Sequence, residues 1–229
     1  MPKVSIIIPV YNGWEMVHRR LAEIHQYCPD YVNVVIVDDC SLDTDSRGVV
    51  GWWQKQGLKG RLRFYRNTVN SGFGRTCNRG AEIAMKHEAE ILVFLNTDVE
   101  IHGPFIDRVE IGVRFGLVGG QLYDHDTGWN RFSFGLAPYL GGWLLACNQQ
   151  TWRELGGFDP NIVPYDGEDV EICIKAKYLG FSLIPLNNLS LHHIGGQSIR
   201  FSPDREQITR KNLTYIEDKW SKIFGAQNA

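Results

Sequence analysis

Three polar clusters in this chain stand directly behind apolar runs, and their residue types suit the handling of a phosphate. Asn96-Thr97-Asp98 follows Ile91-Leu92-Val93-Phe94-Leu95 without a break, as in a buried strand whose C-terminal end opens into a polar crevice. Open α/β sheets bind ligands at that end of their strands. A carboxylate held there can carry a divalent cation, and the cation a phosphate. The plainer reading is an Asn/Asp turn that ends a strand. Asp38-Asp39 follows Val34-Val35-Ile36-Val37, and Tyr11-Asn12 follows the run from Val4 to Val10. In a parallel sheet these three ends project from one edge and can meet. An acidic pair behind a second strand also occurs in dinucleotide folds, where a carboxylate contacts ribose. Here, however, the first turn is Pro-Val-Tyr-Asn-Gly, not G-x-G-x-x-G, and Gly72-Phe73-Gly74 lies far downstream. No G-x-x-x-x-G-K-S/T run occurs, so a P-loop is excluded.

The elements that must position these ends alternate in type. Val4 to Val10 is β-branched and apolar, and Tyr11-Asn12-Gly13 stops it. Trp14 to Tyr27 has helical spacing, with Val17, Leu21 and Ile24 on one face. A second buried strand at Val34–Val37 precedes a shorter one at Leu62–Tyr65 and the loop Asn67 to Gly72. Gly74 to Glu88 reads as a helix leading into the Ile91–Leu95 strand. This β-α-β-α order with continuously apolar strands predicts an α/β fold, its sheet mainly parallel and covered on both faces. Beyond residue 100 the pattern loosens. The spacing predicts helices near Pro104–Phe115, from about Gln149, over Glu168–Leu179 and from about Pro203 to Phe224. Short strands are expected at Ser182–Pro185 and Leu189–His193, and Leu117 to Leu145 is mixed, rich in Gly and aromatic residues. With no repeat or linker, one domain over 1–229 is expected. It would have a nucleotide-type half (1–100), a substrate-type half (101–200) and a C-terminal helix (201–229).

Composition narrows the class. The 229 residues are 43% hydrophobic with a formal charge of −2, enough for a substantial core and without the basic footprint of a nucleic-acid binder. No apolar stretch is long enough to span a bilayer, and no secretory signal is visible, so a cytoplasmic protein is expected. Cys28, Cys40, Cys77, Cys147 and Cys173 are odd in number and widely spaced, which argues against a disulfide framework and a structural zinc site. The sequons at Asn188 and Asn212 are taken as chance matches.

At this point the motifs, taken in order, are similar to a known family. Ile-Ile-Ile-Pro-Val-Tyr-Asn (6–12), Val-Asp-Asp-Cys-Ser (37–41), Asn-Ser-Gly-Phe-Gly-Arg-Thr-Cys-Asn-Arg-Gly (70–80) and Leu-Asn-Thr-Asp (95–98) resemble the family 2 glycosyltransferases of GT-A fold. So do Gly-Gly-Phe-Asp (156–159), Gly-Glu-Asp-Val-Glu-Ile-Cys (167–173), His-Ile-Gly-Gly-Gln-Ser (193–198) and Lys-Trp (219–220). Each motif is weak alone. The ordered set is specific and spans nearly the whole chain, its late members being most like the rhamnosyltransferase branch.

The resemblance implies a doubly wound, mainly parallel sheet with a small mixed acceptor-side region, and an inverting transfer of sugar from a nucleoside diphosphate to a hydroxyl. Asp39, with Asp38 beside it, would contact a uracil or thymine ring, and Pro9, Tyr11 and Asn12 would line the base and ribose pocket. Asn70, Gly72, Arg75 and Asn78 fall where the family faces its donor, although Arg75 also reads as a surface cation. Asn96-Thr97-Asp98 replaces the family's D-x-D, with Asn for the first acid, and makes Asp98 the ligand of Mn²⁺ or Mg²⁺. His193 matches the later metal-binding histidine, and His192 beside it is not excluded. The following Gly-Gly-Gln-Ser fits a loop closing over the diphosphate. Asp169 would be the general base, with Glu168 supporting the acceptor; the plainer reading of both is acids favouring a helix N-terminus. Trp129, Phe132, Phe134, Tyr139 and Trp143 suit either an acceptor site or core. The implied partners are a nucleotide-sugar (UDP or dTDP) and a glycan, lipid-linked or protein-linked acceptor. Two other readings compete: a nucleotidyltransferase, disfavoured because no basic residue follows the first strand, and a catalytically silent binding module, disfavoured because Asp98 and Asp169 are both present.

Overall fold

The computed structural model describes residues 3–42, 46–56, 58, 60–195 and 203–227. The front half is β1 (Val4–Val10), α1 (Trp14–Tyr27), β2 (Asn33–Asp38), α2 (Ser46–Gln56), β3 (Leu62–Arg66), α3 (Phe73–Lys86), β4 (Ile91–Leu95) and β5 (Val99–Ile101). Then come α4 (Ile106–Gly112), β6 (Gly116–Gly119), β7 (Leu122–Tyr123), β8 (Arg131–Phe132), β9 (Gly135–Leu136), β10 (Tyr139–Leu140) and β11 (Leu144–Asn148). The chain continues through α5 (Gln149–Leu155), α6 (Glu168–Tyr178), β12 (Ser182–Pro185), β13 (Leu191–His193) and α7 (Arg205–Gln227).

Seven strands form the central sheet in the order β12-β6-β11-β4-β1-β2-β3. Only β11 runs against its neighbours, pairing antiparallel with both β4 and β6. β1 shows why the sheet needs two covers. Its side chains alternate, so Ile6 and Ile8 enter one core with Val17, Leu21 and Ile24 of α1, while Ile7 enters the other with Cys77 and Ala81 of α3. All three isoleucines are fully buried, each contributing roughly 1.5–3 kcal/mol. α3 lies so close that a Cβ on Gly80 would fall 2.4 Å from Ile7 Cγ2. This is the doubly wound, mainly parallel α/β sheet that the sequence predicts. The small ribbons β7/β10 and β8/β9 form the mixed region beside it.

Among the elements not foreseen are α2, β5 and β11. α2 contains Gly48, Val49, Val50, Gly51, Trp52 and Trp53, all poor helix formers. Tertiary contacts stabilise it instead: Val50 and Trp53 are buried, and the Trp53 indole donates to His18 Nδ1 at 3.0 Å. β11 was hidden in the Gly/aromatic stretch because a short apolar run does not reveal its element. The helix expected over Pro104–Phe115 is shorter, Ile106–Gly112, closing before Gly116, whose φ is +154°. Cys28, Cys77, Cys147 and Cys173 are buried and all five cysteines are free thiols. No helix among the described residues is long and apolar enough to cross a membrane.

Candidate active site

The C-terminal ends of β1, β2 and β4 open into one cavity of about 600 Å³. Pro9 and Tyr11 line it from β1, Asp39 from β2, Asn70 and Gly72 from the loop before α3, and Asn96, Thr97 and Asp98 from β4. Asp39 is the tie between these parts. Its Oδ1 accepts from Asn67 Nδ2 at 2.7 Å and from the Ser71 amide at 2.8 Å, and its Oδ2 accepts from the Gly72 amide at 2.8 Å. A carboxylate offers about four acceptor sites, so one remains for a ligand N–H. Gly72 is required where it sits: its φ is +87°, and a Cβ would meet the Pro164 carbonyl oxygen at 2.7 Å.

Four expected donor contacts do not line this cavity. Asp38 is fully buried beneath the loop, paired with Arg66 and accepting from the Ser41 amide at 2.8 Å. Asn12 turns to the same loop, its Oδ1 accepting from the Leu42 amide and its own amide donating to Ser41 Oγ. Arg75 is exposed, and its Nε donates to the Pro160 carbonyl at 2.8 Å. Asn78 clamps Phe158 from both sides, donating to its carbonyl and accepting from its amide. These side chains brace loops rather than face the crevice, because strand-end position fixes the backbone but not the side chain's direction.

β13 pairs antiparallel with β5, setting His193 opposite Val99 and His192 opposite Glu100. The two-residue period then sends them to opposite faces. His193 lines the cavity, with Nε2 3.6 Å from Asp98 Oδ1, while His192 is exposed. Among the described residues, the buried Asn96 Oδ1 has no hydrogen-bond partner. An unsatisfied acceptor on a residue that lines the same cavity as this carboxylate and imidazole fits a divalent cation. No group of three or more His, Cys, Asp or Glu among the described residues could hold a metal ion. Any cation held by Asp98 and His193 would need further oxygen ligands from outside these groups. Of the expected closing segment, Gly196, Gln197 and Ser198 lie outside the described residues.

On the opposite wall, Gly167 caps α6 in the left-handed region (φ 99°) and presents Glu168 and Asp169 to the cavity. Asp169 Oδ2 accepts from the Gly142 amide at 3.0 Å and Oδ1 from the Val170 amide at 2.8 Å. Burial lifts its carboxyl to about 6 despite these bonds. Glu168 is buried, its Oε2 has no partner, and burial followed by the neighbouring Asp169 pushes it well above the carboxylate range. Burial thus raises both adjacent carboxyls above their ordinary range.

The aromatic segment divides. Trp129, Tyr139 and Trp143 line the cavity together with Tyr123, which stacks on Tyr139 at 4.9 Å. Phe132 and Phe134 stack on each other at 5.0 Å, and Phe134 meets Phe224 of α7 edge-on. Sequence reasoning missed the support beneath α6. Asp166 (φ 69°) accepts from Arg205 Nε at 3.0 Å and Nη2 at 3.3 Å and from Thr209 Oγ1 at 2.7 Å. The Arg205 guanidinium also lies 5.7 Å over Trp129. Asn212, buried in α7, donates to the carbonyls of Tyr165 and Asp166, which makes its sequon structural. No spacing rule links residues 166, 205 and 212.

Comparison with known proteins agrees with this geometry. The chain is 25% identical over 226 residues to N-acetylgalactosaminyltransferase 7 of Drosophila melanogaster, covering 80% of this chain and 38% of that protein. It is 22% identical over 259 residues to human polypeptide N-acetylgalactosaminyltransferase 10, covering 96% of this chain and 42% of the relative. The chain thus spans about two fifths of the length of these curated relatives. Among solved structures it superposes on the mannosyltransferase PcManGT of Pyrobaculum calidifontis, in complex with GDP-Man and Mn²⁺, with a TM-score of 0.62 and 23% identity, covering 82% of this chain and 55% of that one. GalNAc-T7 with UDP, GalNAc and Mn²⁺ gives 0.68 and 17%, covering 84% and 44%. These likenesses show a GT-A fold. A model of glycosyl transferase family 2 matches residues 5–156, more than half of the sequence, and the chain belongs to that family.

Proposed function

We propose that the chain is a metal-assisted glycosyltransferase that moves a sugar from a nucleoside diphosphate to an acceptor hydroxyl, with inversion, and that residues 1–229 act as one unit. The observation that carries this reading is the convergence, in one cavity, of the Asp98–His193 pair, the Asp39-tied donor loop and the buried carboxyl of Asp169. Asp39 accepts an N–H of the base, and Tyr11 and Pro9 flank the nucleoside. Asp98 and His193, with the side-chain oxygen of Asn96, would hold Mn²⁺ or Mg²⁺, which when bound would supply Lewis-acid stabilisation of a diphosphate leaving group. Two solved neighbours carry Mn²⁺ with UDP or GDP-Man, which supports this cofactor class.

Asp169 takes the proton of the attacking hydroxyl. The Gly142 amide fixes its orientation, and the close Gly142 backbone, where a Cβ would lie 3.1 Å from Asp169 Cβ, keeps that contact open. Glu168 stays neutral and donates a hydrogen bond to a sugar oxygen. Trp129, Tyr123 and Tyr139 offer faces on which an acceptor sugar of a glycan, lipid-linked or protein-linked precursor stacks. The reading is tested by NMR of the product from an active donor–acceptor pair. An anomeric configuration opposite to the donor's supports direct displacement; the same configuration refutes inversion and with it the single-base mechanism.

A further inference from the structure

The Asp98–His193 pair is assembled from two segments distant in sequence, and one residue, Trp143, touches both parts. The Trp143 ring stacks on the His193 imidazole with centroids 5.4 Å apart and planes 18° from parallel. Its backbone carbonyl accepts from the Asn96 amide at 3.1 Å, just before Leu144 of β11 pairs with Leu95 of β4. The ring sits in a slot shaped by glycine. A Cβ on Gly120 would lie 1.9 Å from it, and one on Gly141 would lie 2.9 Å from Nε1.

An imidazole needs such support. The χ2 torsion of histidine is broad, so the ring plane is not set by its own rotamer preference. A metal-binding histidine is ordinarily oriented by a hydrogen bond to its second ring nitrogen. Among the described residues His193 has no such bond; its contacts are Asp98 and the Trp143 face. The stack takes the place of the missing bond.

We propose that Trp143 is a positioning residue for the cation site: its ring orients His193 while its carbonyl anchors the Asn96–Asp98 turn, presenting the two ligands as a preformed pair. The inference rests on the metal-binding reading above. It separates Trp143 from the other cavity aromatics, which face the sugar rather than a ligand of the cation.

The test is titration of Mn²⁺ into the full chain with UDP present, read by calorimetry and by the EPR signal of free Mn²⁺, beside UDP titrations without metal. Trp143→Leu should weaken Mn²⁺ about 10–100-fold, the usual effect of losing a ligand's support, with metal-free UDP affinity unchanged. Trp143→Phe, which keeps a stacking face, should retain most of the affinity. Gly120→Ala should reproduce the Leu phenotype by displacing the ring, and it decides the matter if Trp143→Leu fails to fold. Mn²⁺ affinity in Trp143→Leu or Gly120→Ala equal to that of the unsubstituted chain would overturn the proposal. So would a loss confined to sugar-conjugate binding, which would move the ring to the sugar. Absence of Mn²⁺-dependent UDP binding in the unsubstituted chain would overturn the underlying reading and this one together.

Discussion

One wall of the cavity is a row of strand ends, whereas the wall facing it is assembled from a helix start, short ribbons and the first turns of α7. On the first, the parallel ladder of β1, β2 and β4 fixes the backbone at Asp39 and Asp98, and the side chains need only local ties. On the second, Glu168 and Asp169 depend on Gly142, Asp166, Arg205 and Asn212, which come from three separate segments. On the proposed reading, the sheet edge positions a metal and a nucleotide through its own hydrogen bonds, whereas the facing wall, which would take the acceptor, is held by side chains and its acids are buried.

If the walls divide the work in this way, damage to one should leave the other intact. The largest effect is expected at Asp169. Asp169→Asn should lower kcat by about 10²–10⁴-fold, the size of general-base catalysis, with nucleotide affinity unchanged by calorimetry. Parallel loss of donor binding would break the division.

The same carboxyl sets a pH dependence. Its folded value of about 6 lies above the unfolded value of about 3.9, and the proposed base works only when deprotonated. The rate kcat/KM should therefore fall about tenfold per unit as pH drops below 6, while metal-free nucleotide binding should not follow that limb. Stability has the opposite sense: the contribution of the bound proton is complete below about 3.9 and is lost as pH rises through 6. Asp169→Asn should thus gain stability at pH 8 relative to pH 4, by at most about 3 kcal/mol, as read from Tm.

The donor wall is broken differently, through the packing beneath it. Gly80→Ala places a Cβ 2.4 Å from Ile7 Cγ2 and should cost about 1–3 kcal/mol by overpacking, measured by denaturant unfolding, with the Asp169 pH limb unchanged. The smallest effect is expected at Glu168. A neutral acid is mimicked by its amide, so Glu168→Gln should stay within about tenfold of normal kcat/KM, whereas Glu168→Ala, which deletes the buried donor, should lose more. A Gln variant as poor as Asp169→Asn would show that Glu168 works as an anion.

The contrast between walls also explains what the sequence revealed. β1, β4 and β12 have the bounds their patterns predict, and Asp39, Asp98 and His193 meet as the ordered motifs implied, because period-two burial and strand ends are local signals. His193 matched the family's histidine, but His192 beside it was not excluded until the pairing of β13 with β5 set the alternation. Asn12, Asp38, Arg75 and Asn78 show the limit on the donor side, since motif position does not fix where a side chain turns. Asp166, Arg205 and Asn212 show it on the acceptor side, where contacts across 39 and 46 residues leave no periodic trace. α2 escaped because its residues disfavour helix and only packing stabilises it.

The central claim is that Asp98 places a cation against a nucleoside diphosphate in this cavity. Its most direct test is calorimetry of UDP, dTDP and GDP, each with and without Mn²⁺, on the unsubstituted chain and on Asp98→Ala. The account expects at least one of the three to bind in a Mn²⁺-dependent way, and the metal dependence to disappear in Asp98→Ala while metal-free affinity persists. Equal binding with and without Mn²⁺, or an Asp98→Ala chain that keeps the full metal effect, would contradict it.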